Sequence, residues 1–74
     1  MSLTQQETYG RALEARGWKI TKRLARGAVV MEHPSWEFKF YLGSHGSLRK
    51  GFTRAGSLPV GPIWFRDFLD GQVS

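Results

Sequence analysis

The sequence predicts an α+β domain, in which a three- or four-stranded antiparallel β-meander carries an N-terminal and a C-terminal helix on one face, in the order αβββ(β)α. Three observations lead there. Apolar residues recur at helical spacing near both ends of the chain. Between those ends they alternate with polar residues at period two, and short Gly- and Pro-bearing turns separate the alternating runs. One domain is expected over residues 1–74, with helices at about 4–16 and 62–70 and strands at about 18–24, 28–33, 36–42 and 47–53.

The first helix begins at Thr4, whose spacing to Glu7 is that of a capping box. Tyr9, Ala12, Leu13 and Arg16 share one stripe, and Gly17 stands where a left-handed residue would end the helix. From Trp18 the period becomes two. Trp18, Ile20 and Leu24 fall on one face, with Lys19, Thr21 and Arg23 on the other. Arg26-Gly27 supplies a turn, and the continuous apolar run Ala28-Val29-Val30-Met31 suits a central strand.

His33-Pro34-Ser35 breaks that run, because proline has no ladder donor. The clearest alternation follows: Trp36, Phe38, Phe40 and Leu42 point one way, and Glu37, Lys39 and Tyr41 the other. Gly43-Ser44-His45-Gly46 is turn chemistry, and residues 47–53 read as a glycine-interrupted fourth strand at the sheet edge. Pro62 takes the favoured first position of the last helix.

Composition narrows the function classes. Hydrophobic residues make up 41% and aromatics 14%, too much for a disordered chain. With no cysteine, disulfides, thiolate metal sites and thiol nucleophiles are all excluded. The longest charge-free run falls well short of the roughly 18 residues of a membrane span. The start Met1-Ser2-Leu3-Thr4 is unlike a secretory signal. The expectation is a basic cytoplasmic protein with no membrane partner.

The net charge of +5 is unevenly spread. Lys19, Lys22, Arg23 and Arg26 give residues 19–26 a charge of +4, and Arg49, Lys50 and Arg54 give residues 49–54 a charge of +3. The rest of the chain is near neutral. Like charge gathered in this way is relieved by a polyanion, which releases counterions as it binds. The same residues, on the first and fourth strands of a four-stranded meander, would equally protect two sheet edges from aggregation.

Few residues offer catalytic chemistry. Gly43 to Gly51, with three glycines, two serines, Arg49 and Lys50, would cradle a phosphate, although its spacing is not that of a Walker loop. A hairpin turn with a solvated basic edge accounts for the same residues. His33 and His45 have no ligand partners at metal-binding spacing, so neither metal nor cofactor is expected. His33, before Pro34, reads as a turn residue. His45 in a basic pocket would suit acid–base work, but the sequence nominates no second group. Tyr41, near Lys39 on a polar strand face, is the candidate for stacking on a nucleic-acid base.

The last helix crowds Ile63, Trp64, Phe65, Phe68 and Leu69 into one broad apolar stripe. Core packing uses such a stripe. Any surplus, at Trp64, Phe65, Phe68 and Leu69, would serve a homodimer, a common supplement to the core of a small chain.

The order helix, Gly17-Trp18, strand, turn, strand, His33-Pro34, strand resembles HicA-type RNA-cleaving toxins, small domains with a double-stranded-RNA-binding-like fold. Leu13-Glu14-Ala15-Arg16-Gly17-Trp18 through His33-Pro34 and into the third strand carries the likeness, over about half the chain. The family places its catalytic histidine in a Gly-Ser-His at the start of the second strand. This chain has Arg26-Gly27-Ala28-Val29 there, and its Gly43-Ser44-His45 comes one hairpin later. The resemblance therefore implies the fold and not the catalysis. Gly46-Ser47-Leu48-Arg49-Lys50-Gly51 with its basic serine-containing loop is also similar to small phage and prophage accessory proteins.

The leading expectation is a non-enzymatic binder of nucleic acid or another polyanion through Lys19, Lys22, Arg23, Arg26, Arg49, Lys50 and Arg54. The alternative is an interaction or assembly component that self-associates through the last helix. The third is a ribonuclease-like toxin using His45.

Overall fold

A computed structural model describes residues 3–71 of the chain. What Met1 and Ser2 suggested about a leader, and the last three positions of the expected domain, lie outside the described residues. Helix α1 spans Gln5–Glu14. The Glu7 amide donates to Thr4 Oγ1 at 3.2 Å, and that hydroxyl in turn donates to Glu7 Oε1 at 3.2 Å. The carboxylate thus accepts from the Thr4 hydroxyl and not from the Thr4 backbone N–H. At the other end Gly17 has φ +94°. The Trp18 amide bonds Leu13 O at 3.0 Å and the Gly17 amide bonds Glu14 O at 3.1 Å, the pair that closes a helix over a left-handed residue.

Five strands follow: β1 (Lys19–Arg23), β2 (Val29–Glu32), β3 (Lys39–Leu42), β4 (Leu48–Gly51) and β5 (Leu58–Pro59). They pair antiparallel in sequence order, and helix α2 (Pro62–Gly71) closes the described chain. The meander and both helices are as the sequence predicted, with three differences. Strand β3 starts at Lys39 and not at Trp36, because the Trp36 amide bonds His33 O (3.1 Å) and the Ser35 amide bonds His33 Nδ1 (3.0 Å), holding a turn there. Residues 48–51 form a true strand. The unexpected β5 then covers it, so β4 is not an edge.

The third difference lies inside β1. Ile20 faces Met31, but Lys22, not Thr21, faces Val30, so Thr21 is the extra residue of a β-bulge. The expected division of this strand is therefore corrected after Ile20. Lys22 joins Lys19 on one face, while Arg23 moves to the other, opposite Val29.

Directly paired residues share a face. One face presents Met31, Phe40, Val29, Leu42 and Leu48, which are buried with Leu13, Trp18, Phe65 and Leu69. Both helices lie on it. Phe65 meets the Tyr9 ring of α1 at 5.0 Å and the Phe40 ring of β3 at 5.7 Å. Arg16 ties the helices together, donating to Ala12 O at 2.9 Å and to Leu69 O at 3.2 Å. Trp36 and Phe38, although outside the strand, remain on the helix side, with rings 5.2 and 5.8 Å from that of Phe68. The opposite face carries no helix.

Candidate nucleic-acid interface

The helix-free face is built from alternate residues of each strand: Lys19 and Lys22, Val30 and Glu32, Lys39 and Tyr41, then Arg49. Val30 and Tyr41 are nonetheless buried there, with 4% and 6% exposure. The loop 52–57 lines a hollow with them and is strapped down by Arg49. The Arg49 guanidinium donates from Nε to Ser57 Oγ at 2.7 Å and from Nη2 to Ser57 O at 2.6 Å. Ser57 is itself buried, and its hydroxyl donates to Arg54 O at 2.7 Å. Gly51 permits the close fit, since a Cβ there would stand 2.7 Å from Ser57 Cα.

This loop brings the two basic clusters together. Lys22 and Arg54 line one hollow of about 260 Å³ on the open face, with Lys39, Glu32, Tyr41 and Phe52. Arg49 and Arg54 share a second. Arg26 and Arg54 share a third, at the end of the sheet, with Ser44, His45 and Ser47. Arg54 belongs to all three. Among the described residues, the side chains of Lys19, Lys22, Arg26 and Arg54 have no hydrogen-bond or ion-pair partner, and the sole ion pair is Lys39 to Glu32 at 4.0 Å.

Two of the seven sequence-predicted cations do not join them. Arg23 lies on the helix side, lining a groove with Glu7 and Glu14 of α1. Lys50 also faces the helices, its Nζ 5.0 Å from the Phe38 ring centroid and 5.1 Å from that of Trp64. Cation–π packing accounts for that charge.

The expected stacking residue is also corrected. Tyr41 stands on the predicted face but is buried, so its ring is no open platform for a base. Phe52 is 66% exposed at the rim of the Lys22–Arg54 hollow. The signal for it was in the sequence: an aromatic interleaved in the basic run Arg49-Lys50-Gly51-Phe52-Thr53-Arg54.

His33 is a turn residue, as expected, its ring 5.3 Å from that of Trp18. Among the described residues no three His, Asp or Glu side chains come together to hold a metal ion. No described helix is long and apolar enough to cross a membrane. Of the four residues proposed for self-association, Phe65 and Leu69 are in the core and Phe68 is half-buried. Trp64 remains 41% exposed, stacked on Phe68 at 5.2 Å. Comparison of the chain with protein-family models, with curated proteins and with solved structures finds no match.

Proposed function

We propose that this protein is a non-enzymatic nucleic-acid binder that lays a phosphate backbone across its helix-free sheet face. The observation that carries the reading is the convergence on Arg54. Cations far apart in sequence, Lys22, Arg26 and Arg49, each share a hollow with that one side chain. Edge protection explains Lys19 and Lys22 but not Arg54, which lies in the loop after β4. Unpaired cations, with no more than Glu32 opposing them on the open face, suit a polyanion that supplies the missing counter-charge. Phe52 beside them offers a ring on which an unpaired base can stack.

The experiment is binding to single- and double-stranded DNA and RNA across a salt series. Four phosphate contacts, from Lys19, Lys22, Arg26 and Arg54, predict a log–log slope between about −3 and −4. The double variant Lys22→Ala/Arg54→Ala should flatten it by roughly two contacts. No binding to any nucleic acid at about 50 mM salt overturns the proposal.

A second reading concerns the other side of the molecule. Leu58 and Ile63 are 66% and 68% exposed. Leu58 pairs with Lys50, whose ammonium lies over the exposed Trp64, and Ile63 precedes Trp64 in α2. Exposed apolar side chains of this kind suit self-association. Light scattering decides: a strict monomer at high concentration removes this reading, and a dimer lost in Ile63→Ser supports it.

A further inference from the structure

Two connections meet at one end of the sheet, and Arg54 reaches them from the loop that leaves its other end. The turn before β2 brings Arg26, the hairpin between β3 and β4 brings Ser44, His45 and Ser47, and the loop after β4 brings Arg54. They line a hollow of about 440 Å³, within the roughly 300–1,000 Å³ of small-ligand sites. No carboxylate lines it, and neither guanidinium has a hydrogen-bond or ion-pair partner among the described residues.

The hollow is held in shape from behind. The Gln6 side-chain amide of α1 donates to Gly27 O at 2.8 Å and to Leu42 O at 3.1 Å, pinning the turn and the end of β3 to the helix. The hairpin closes on itself through Gly43 N to Ser47 O at 2.9 Å and Gly46 N to Gly43 O at 3.1 Å. Arg26 itself has φ +64°, the one non-glycine residue with positive φ among those described. Glycine would fit that backbone without strain, so a large cationic side chain held there points to a demand on the side chain.

We propose that this hollow binds a phosphate monoester, as the terminal phosphate of a nucleic-acid strand or of a free nucleotide. The strand-end source rests on the nucleic-acid reading above; the nucleotide source does not. A monoester carries about −1.5 to −2 charges near neutral pH and three free oxygens. An internal phosphodiester offers a single charge and two free oxygens. Two unpaired guanidinium groups match the larger charge, and their forked donors suit phosphate oxygens. The two hydroxyls and the imidazole supply the remaining donors. The site lies where the open face ends, so a strand lying across that face would present its terminus here.

The test uses the full chain with a short oligonucleotide bearing either a terminal phosphate or terminal hydroxyls, and with a nucleoside monophosphate followed by amide NMR. Arg26→Gly relaxes the left-handed backbone and so leaves the fold intact, and Arg54→Gln is the second variant. The phosphorylated strand should bind about tenfold more tightly than the hydroxyl strand. That advantage should vanish in both variants. Equal binding of the two strands, with monophosphate shifts at residues 43–47 that are lost in Arg26→Gly, supports the pocket with a free nucleotide as its ligand. Equal binding with no such shifts overturns the pocket and leaves the open-face reading standing. Monophosphate binding with no strand binding does the reverse.

Discussion

At the scale of single residues, Arg49 and Gly51 decide whether the interface exists. Arg49 counts among the basic residues, yet its guanidinium is committed to Ser57 through two short bonds. Lysine would keep the charge but cannot reproduce a forked contact to a hydroxyl and a carbonyl. Arg49→Lys should therefore cost about 1–2 kcal/mol in chemical denaturation, at about one net hydrogen bond plus an orphaned partner. Its nucleic-acid affinity should fall as well, because Arg54 is no longer held in place. A lysine variant as stable as the parent would show that the strap is dispensable. Gly51→Ala tests the same loop from below. Its Cβ would meet Ser57 Cα at 2.7 Å and Gly56 O at 3.0 Å, both backbone atoms that cannot swing aside. Overpacking of this kind costs about 1–3 kcal/mol, read as a lower denaturation midpoint at unchanged slope. An unchanged midpoint would mean that the loop yields to the added methyl group at no cost.

At the scale of elements, the bulge in β1 sorts two neighbouring cations that the sequence could not tell apart. Lys22 and Arg23 are adjacent in one basic run, but Lys22 faces the open side and Arg23 faces α1 beside Glu7 and Glu14. Lys22→Ala should reduce the salt slope of duplex binding by about 0.9, the share of one phosphate contact, while Arg23→Ala leaves it unchanged. Equal effects would place the ligand elsewhere. This contrast also marks what sequence reading can reach. The cap at Thr4, the stop at Gly17 and the alternation through Phe40 and Leu42 are local signals, and the helices and first four strands follow from them. A bulge is one extra residue within an unbroken run, so a strict period of two passes straight over Thr21. Strand β5 is two residues long, one of them a proline, and has no period at all. Tyr41 reads as exposed because Glu37 and Lys39, which share its strand face at period two, are charged, whereas tertiary packing leaves it 6% exposed. The seven cations were legible from composition; which five share a side was not, because long-range loop placement decides it.

At the scale of the whole molecule, the two faces carry different burdens, and salt separates them. Of the six acidic residues, Glu32 alone opposes the open face. Glu7 and Glu14 lie on α1, Asp67 and Asp70 on α2, and Glu37 in the connection before β3. The free chain therefore folds against repulsion among Lys19, Lys22, Arg26 and Arg54. Screening shortens that repulsion, since the Debye length falls from about 10 Å at 0.1 M to about 3 Å at 1 M. Sodium chloride should accordingly raise the melting temperature of the free protein by a few degrees, at about 4–8 °C per kcal/mol for a chain this small. Bound nucleic acid acts in the opposite sense. At about 100 times Kd it adds about 2.7 kcal/mol, and hence roughly 10–20 °C, but the same salt weakens binding and erodes the gain. The two melting curves should thus converge as salt rises, the free one climbing and the bound one falling. A free protein destabilised by salt would mean that attractive pairs outweigh repulsion on the folded surface. That outcome would remove the unsatisfied charge on which the interface is argued, because a face already neutralised from within has no electrostatic need of a polyanion.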